Sequence, residues 1–144
     1  MTPKLYTASN LAPSAEEFVQ LRTQIGWGEM DLALAQASLD NSLYHIVIRM
    51  EDQLVGMGRV VGDGYMYFYV QDVVVAPDFQ RLGLGYQLMD HIEAYLAQTA
   101  KIGATIGLLA AKGKEGFYQK FGYQQRDGAQ LGLGMCKFIT EHNL

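Results

Sequence analysis

The residues best placed to do chemistry lie between Gln71 and Leu96, QDVVVAPDFQRLGLGYQLMDHIEAYL. Val73, Val74 and Val75 are an unbroken β-branched run, the pattern of a strand covered on both faces. Ala76-Pro77-Asp78 closes it, because proline cannot donate to a ladder and Asp favours turns. Gln80-Arg81-Leu82-Gly83-Leu84-Gly85 follows, and a helix begins near Gly85 with Leu88, Met89, Ile92, Tyr95, Leu96 and Thr99 on one stripe. Glycines let backbone come close to a ligand, and the first N–H groups of a helix have no intrahelical partner. Together with the helix dipole they suit an anion, most often phosphate.

Three phosphate-binding patterns compete for this loop. A dinucleotide fold needs a third glycine near position 88 and an acidic residue closing the next strand. Here position 88 is Leu88, and the next strand ends in Ala110-Ala111-Lys112. A P-loop needs Gly-Lys-Ser/Thr after four spacer residues, which is absent. The third pattern, Gln/Arg-x-x-Gly-x-Gly/Ala after an apolar strand, is met in full by Gln80 to Gly85. Downstream, Gly116-Phe117-Tyr118-Gln119-Lys120-Phe121-Gly122-Tyr123 repeats an aromatic-Tyr-x-x-x-Gly-aromatic spacing.

The two segments, in this order and at about this separation, resemble the signatures of the GCN5-related N-acetyltransferase (GNAT) family. The resemblance covers residues 71–123, and the upstream strands fit it. It implies a mixed α/β fold: a central, mostly antiparallel sheet with splayed fourth and fifth strands, flanked by about four helices, in a single domain over residues 1–144. Acetyl-CoA is the implied co-substrate. The strand Val73, Val74 and Val75 would hold the pantetheine arm. The loop Gln80, Arg81, Leu82, Gly83, Leu84, Gly85 and Tyr86 would hold the pyrophosphate, largely through backbone N–H groups. Tyr118 falls where the family places the general acid that protonates the departing thiolate.

The implied reaction is transfer of acetyl to a primary amine of a small molecule by direct attack. Protein lysine or N-terminal acetylation is one alternative, and a non-catalytic CoA-binding sensor is another. No side-chain base is evident. Other members can place Glu or His on the fourth strand, at positions that map to Tyr69 and Gln71, so a water chain is the expected route for the amine proton. Strand alternation places Tyr69, Gln71, Val73 and Val75 on one face and turns Asp72 away, unless a bulge intervenes. Asp72 is read as a structural carboxylate. Trp27, Tyr69 and Gln71 are the expected acceptor wall, and LRTQIGWGE, GMGRVVGDG and the loop segment are similar to relatives that include arylalkylamine-acetylating enzymes. His45, His91 and His142 are scattered and read as surface or rim residues.

The elements needed to position these groups can be read in order. Leu5-Tyr6-Thr7 suits a short strand. Ser14 with Glu17 has capping-box spacing, and the helix it opens runs to Ile25 before Gly26. Trp27-Gly28 is a joint, and Asp31 to Leu39 a second helix. Tyr44–Met50, Leu54–Val61 and Tyr65–Val75 read as strands, with Gly62-Asp63-Gly64 as a hairpin turn. The helix 85–99, a strand over Thr105–Ala110 and a short helix over Lys114–Phe121 follow. Tyr123–Gln125 and Leu133–Ile139 are expected as closing strands.

The totals fit this reading. The chain has 144 residues, of which 49% are hydrophobic and 18% charged, enough for one core without staples. Its single cysteine, Cys136, excludes an internal disulfide framework and a multi-cysteine zinc site, so no metal is expected. The N-terminus Met1-Thr2-Pro3-Lys4 has no apolar signal core, and no apolar run approaches membrane-spanning length. A net charge of −4 speaks against a nucleic-acid partner. A cytoplasmic protein acting on a small-molecule amine, with no membrane partner and a homodimer as an open option, is the expectation.

Overall fold

A computed structural model describes residues 5–143; Met1-Thr2-Pro3-Lys4 and Leu144 lie outside the described residues. The chain divides into two compact units, Met1–Leu109 and Ala110–Leu144.

The first unit holds a five-stranded sheet in the order β1-β2-β3-β4-β5. These are β1 (Tyr6–Ser9), β2 (Tyr44–Met50), β3 (Gln53–Gly62), β4 (Tyr67–Val75) and β5 (Thr105–Gly107). β1 to β4 pair antiparallel, and β5 joins β4 in parallel. This is the mixed, mostly antiparallel α/β sheet the sequence implied. The turn after β3 explains one glycine: at Gly62 (φ 142°) an added Cβ would lie 2.2 Å from the Tyr67 carbonyl oxygen. Asp63 completes that turn, its Oδ1 accepting from the backbone N–H groups of Tyr65, Met66 and Tyr67 at 2.8–3.0 Å.

Helices cover both faces of the sheet. On one face lie α1 (Ala15–Gln24) and α2 (Leu32–Asp40). The Ser14 hydroxyl accepts from Glu17 N–H and the Glu17 carboxylate from Ser14 N–H, each at 3.1 Å, the expected capping box. Asp31 caps α2 by accepting from Leu34 N–H at 2.9 Å. Phe18 and Leu21 from α1 and Ala35 and Leu39 from α2 are buried at helical spacing. The other face is covered by α3 (Leu84–Thr99), whose stripe Leu84, Leu88, Met89, Ile92 and Leu96 is almost fully buried. Gly56 and Gly58 admit α3 close to β3, since a Cβ there would meet Leu88 Cδ1 at 3.4 Å and Ile92 Cδ1 at 3.0 Å.

The second unit contains the short helix α4 (Glu115–Gln119) and irregular chain. The closing strands expected at Tyr123–Gln125 and Leu133–Ile139 are absent among the described residues. Leu131, Leu133, Met135, Phe138 and Ile139 are each more than half exposed, so their near-alternation buries no face. Gly128, Gly132 and Gly134 weaken any ladder there. β5 is also shorter than expected, stopping at Gly107 instead of Ala110. Its ladder with β4 joins only Tyr67 to Thr105, Phe68 to Ile106 and Tyr69 to Gly107, after which the two strands no longer pair.

Candidate active site

β4 carries the centre of the site, and one local feature sets its geometry. β3 and β4 pair as Arg59↔Gln71 and then Met57↔Val74, so Asp72 and Val73 oppose the single residue Gly58. This is a β-bulge, and Asp72 within it has φ 55°. Directly paired residues share a face. Arg59 reaches Asp72 on the α1/α2 face, so Tyr69, Gln71, Asp72 and Val74 lie there. Val73 lies on the α3 face, because a Cβ on Gly58 would sit 3.5 Å from Val73 Cγ2 and 3.0 Å from Ile92. Simple alternation had grouped Val73 and Val75 with Tyr69 and Gln71 and turned Asp72 away. The extra residue reverses that grouping.

Asp72 is 3% exposed and binds two arginines. Its Oδ1 accepts from Arg22 Nη1 of α1, and its Oδ2 accepts from Arg59 Nε at 2.9 Å. Arg59 also donates from Nη1 to the Ser38 carbonyl at 3.1 Å and Ser42 Oγ at 2.9 Å, and from Nη2 to Ser38 Oγ at 3.0 Å. The carboxylate therefore ties the bulge to α1 through Arg22 and, by way of Arg59 and Ser38, to α2. Sequence reading missed the two arginines as its partners. A signal existed: Arg59 stands in the apolar strand of β3, Arg22 on the apolar stripe of α1, and Asp72 in the apolar strand of β4. Lone charges of opposite sign in apolar patterns must find one another when buried.

Trp27 sits in the segment between α1 and α2, flanked by Gly26 and Gly28. The Arg22 guanidinium carbon lies 5.2 Å from its ring centroid and 5.6 Å from that of Phe18. Trp27 remains 39% exposed, so it is no core residue. Through Arg22, which also binds Asp72, it is one side chain from the bulge. Tyr69 and Gln71 are half-buried on the same face.

At the end of β4 the chain passes through a short 3-10 turn (Pro77–Phe79) and reaches α3. The Gln80 side chain donates from Nε2 to the Val75 carbonyl at 3.0 Å, so it fastens the loop to the strand end. Arg81 (φ 66°) and Gly83 (φ 83°) both adopt left-handed backbone. For Arg81 that costs about 1 kcal/mol or more, strain of the kind concentrated at binding loops. Gly83 is the N-cap of α3, and a Cβ there would meet no atom within 4 Å. The turn carries a bond from Gln87 N–H to the Gly83 carbonyl at 3.2 Å, and the N–H groups of Leu84 and Gly85, the first two helical positions, point out of the helix start. Leu82, Arg81 and Tyr86 are exposed around them.

Tyr118 belongs to the second unit, on α4. Its ring meets Phe117 edge-on at 5.1 Å and Tyr123 at 6.4 Å, and its carbonyl accepts from Phe121 N–H at 2.9 Å. Burial pushes its phenol above the ordinary range, so it keeps its proton at neutral pH.

Comparison with known proteins bears on this geometry. Residues 20–138 match the sequence model of the Acetyltransferase (GNAT) domain, a span that runs through both units. The chain is 35% identical over 123 residues to an uncharacterized N-acetyltransferase, ycf52, of Pyropia yezoensis, covering 83% of this chain and 70% of that one. It spans between 61% and 70% of the length of the ycf52 relatives it matches. It is 37% identical over 83 residues to serotonin N-acetyltransferase 2, chloroplastic, of Oryza sativa subsp. japonica, covering 58% of this chain and 40% of that one. Its fold is similar to a crystal structure from meticillin-resistant Staphylococcus aureus, with a TM-score of 0.84 and 26% identity over 92% of this chain and all of the other.

Proposed function

Because the chain belongs to the GNAT family and is an N-acetyltransferase of that type, we propose that it transfers acetyl from acetyl-CoA to the primary amine of a small molecule. One observation carries the reading. β4 loses its parallel partner after Tyr69, and the same strand leads directly into a glycine-started helix. An extended thioester can then lie along the freed edge of Val73, Val74 and Val75, with its pyrophosphate on the N–H groups of Leu84 and Gly85.

The chemistry follows. The acceptor amine, with a pKa of about 10, sheds its proton to water, since Tyr69 and Gln71 are not bases near neutrality. Its nitrogen attacks the thioester carbonyl carbon. A backbone N–H of β4 is the donor for the oxyanion. The C–S bond breaks as the carbonyl re-forms, Tyr118 gives its phenolic proton to the leaving thiolate, and the nitrogen releases its second proton to water, from which Tyr118 is reprotonated. Trp27, Tyr69 and Gln71 form the acceptor wall, whose aromatic character fits an acceptor with a flat apolar body. The named activity of the rice relative is consistent with that class. An amine panel incubated with acetyl-CoA and followed by free-thiol release tests the reading. Release with arylalkylamines is expected, and no release above hydrolysis with any small amine refutes it.

A further inference from the structure

The cluster behind Trp27 is not charge-balanced. Asp72 is the only carboxylate ion-paired to Arg22 or Arg59 among the described residues, so two guanidinium groups share one negative charge. Arg59 makes three further hydrogen bonds, to Ser38 and Ser42. Arg22 Nε, by contrast, is buried with no hydrogen-bond partner. The cluster of Arg22, Arg59 and Asp72 carries one net positive charge, and Arg22 is its member beside Trp27, the guanidinium 5.2 Å from the ring. A ring with a cation on one face is a poorer host for a second cation on the other. The Arg22 side chain is 16% exposed, so its field is screened less than that of a surface cation.

We propose that Arg22 is a positioning and specificity residue of the acceptor site: anchored by Asp72, it underlies the Trp27 ring and discriminates against acceptors whose far end is cationic. The inference rests on the reading of Trp27 as an acceptor wall. It narrows the substrate class to amines whose body is neutral or anionic, and it sets diamines and polyamines at a disadvantage. It also assigns Asp72 a second consequence. By neutralising only half of the pair, the carboxylate anchors Arg22 without cancelling its field.

The test uses one amine with three charges: 2-phenylethylamine carrying hydrogen, carboxylate or trimethylammonium at ring position 4. Trp27 is the chain's only tryptophan, so its fluorescence reports binding at this wall without turnover. Dissociation constants are measured with CoA present, and thiol release from acetyl-CoA is measured in parallel. The full chain should bind the carboxylate form more tightly than the trimethylammonium form. Arg22→Gln, which leaves the Arg59–Asp72 pair intact, should shrink that ratio by about tenfold. Arg22→Lys keeps the charge and should keep the ratio. Ratios cancel any general loss of affinity, so a merely structural role of Arg22 would leave them unmoved. An unchanged ratio in folded Arg22→Gln overturns the proposal. So do equal affinities of the unmodified protein for the two charged forms, or a Trp27 signal silent to all three amines; neither needs a variant to fold. Charge-ordered binding without thiol release upholds it while refuting acetyl transfer to these amines, whereas thiol release without charge order does the reverse.

Discussion

At the scale of single residues, the proposed mechanism turns on one proton held and then given. Tyr118 keeps its proton because burial disfavours the phenolate. An acid is useful only while protonated, so the alkaline limb of the rate profile should lie above the ordinary tyrosine range of about 10. Tyr118→Phe preserves the ring and its edge contact with Phe117. It should lower turnover by about 100- to 10,000-fold in a thiol-release assay while leaving acetyl-CoA affinity nearly unchanged. Asp72 is the opposite case, a charge whose work is structural. Asp72→Ala leaves two largely buried guanidinium groups without their carboxylate, which should cost about 3–5 kcal/mol. A melting midpoint lowered by roughly 10 °C or more is expected.

At the scale of elements, the loop into α3 and the joint between α1 and β2 make separate claims. Gly85 lies inside the first turn of α3 and not in left-handed backbone, so valine is conformationally admissible there. Gly85→Val should keep the fold, at a helix-propensity cost below about 1 kcal/mol. Its Cβ branches crowd the N–H groups, so calorimetry should show acetyl-CoA affinity lost. The other joint is the fork between Glu17 of α1 and Arg49 of β2, with Arg49 Nη1 donating at 2.6 Å and Nη2 at 3.0 Å. The Arg49 bond lowers the Glu17 pKa from 4.5 to about 2. A depressed folded pKa contributes stability that is present above the unfolded value and lost as pH falls through the folded one. Unfolding free energy should therefore decline between about pH 4.5 and pH 2 through this pair, and Glu17→Gln should flatten that decline in denaturant titrations.

At the scale of the whole molecule, Trp27 distinguishes packing from recognition. A core tryptophan removed to alanine costs about 3–5 kcal/mol. Trp27 is 39% exposed and rests on Arg22, so Trp27→Ala should cost appreciably less. Its effect should fall on the acceptor, raising that Michaelis constant several-fold more than the constant for acetyl-CoA. Steady-state kinetics run beside thermal melts check this. A large loss of melting temperature with no acceptor-selective change would return Trp27 to the core.

The amino-acid sequence by itself determined what local rules govern. The Ser14–Glu17 capping box, β2 at Tyr44–Met50, the Asp63 turn and the apolar stripe of α3 follow from neighbours within a few residues, where side-chain chemistry and helical or strand period decide the outcome. The glycine loop was legible for the same reason. Tertiary structure decided what depends on partners far along the chain. The bulge at Asp72 arises from pairing with Gly58 and from arginines that α1 and β3 bring to it, and it moved Val73 to the other face. β5 ends at Gly107 and pairs with β4 at three residues only, a length set by its partner strand and not by the pattern of Thr105–Ala110. Leu133–Ile139 alternates like a strand yet finds no sheet to join, because period alone supplies no partner. The excess charge beside Trp27 is likewise a count of neighbours, and only the fold assembles those neighbours.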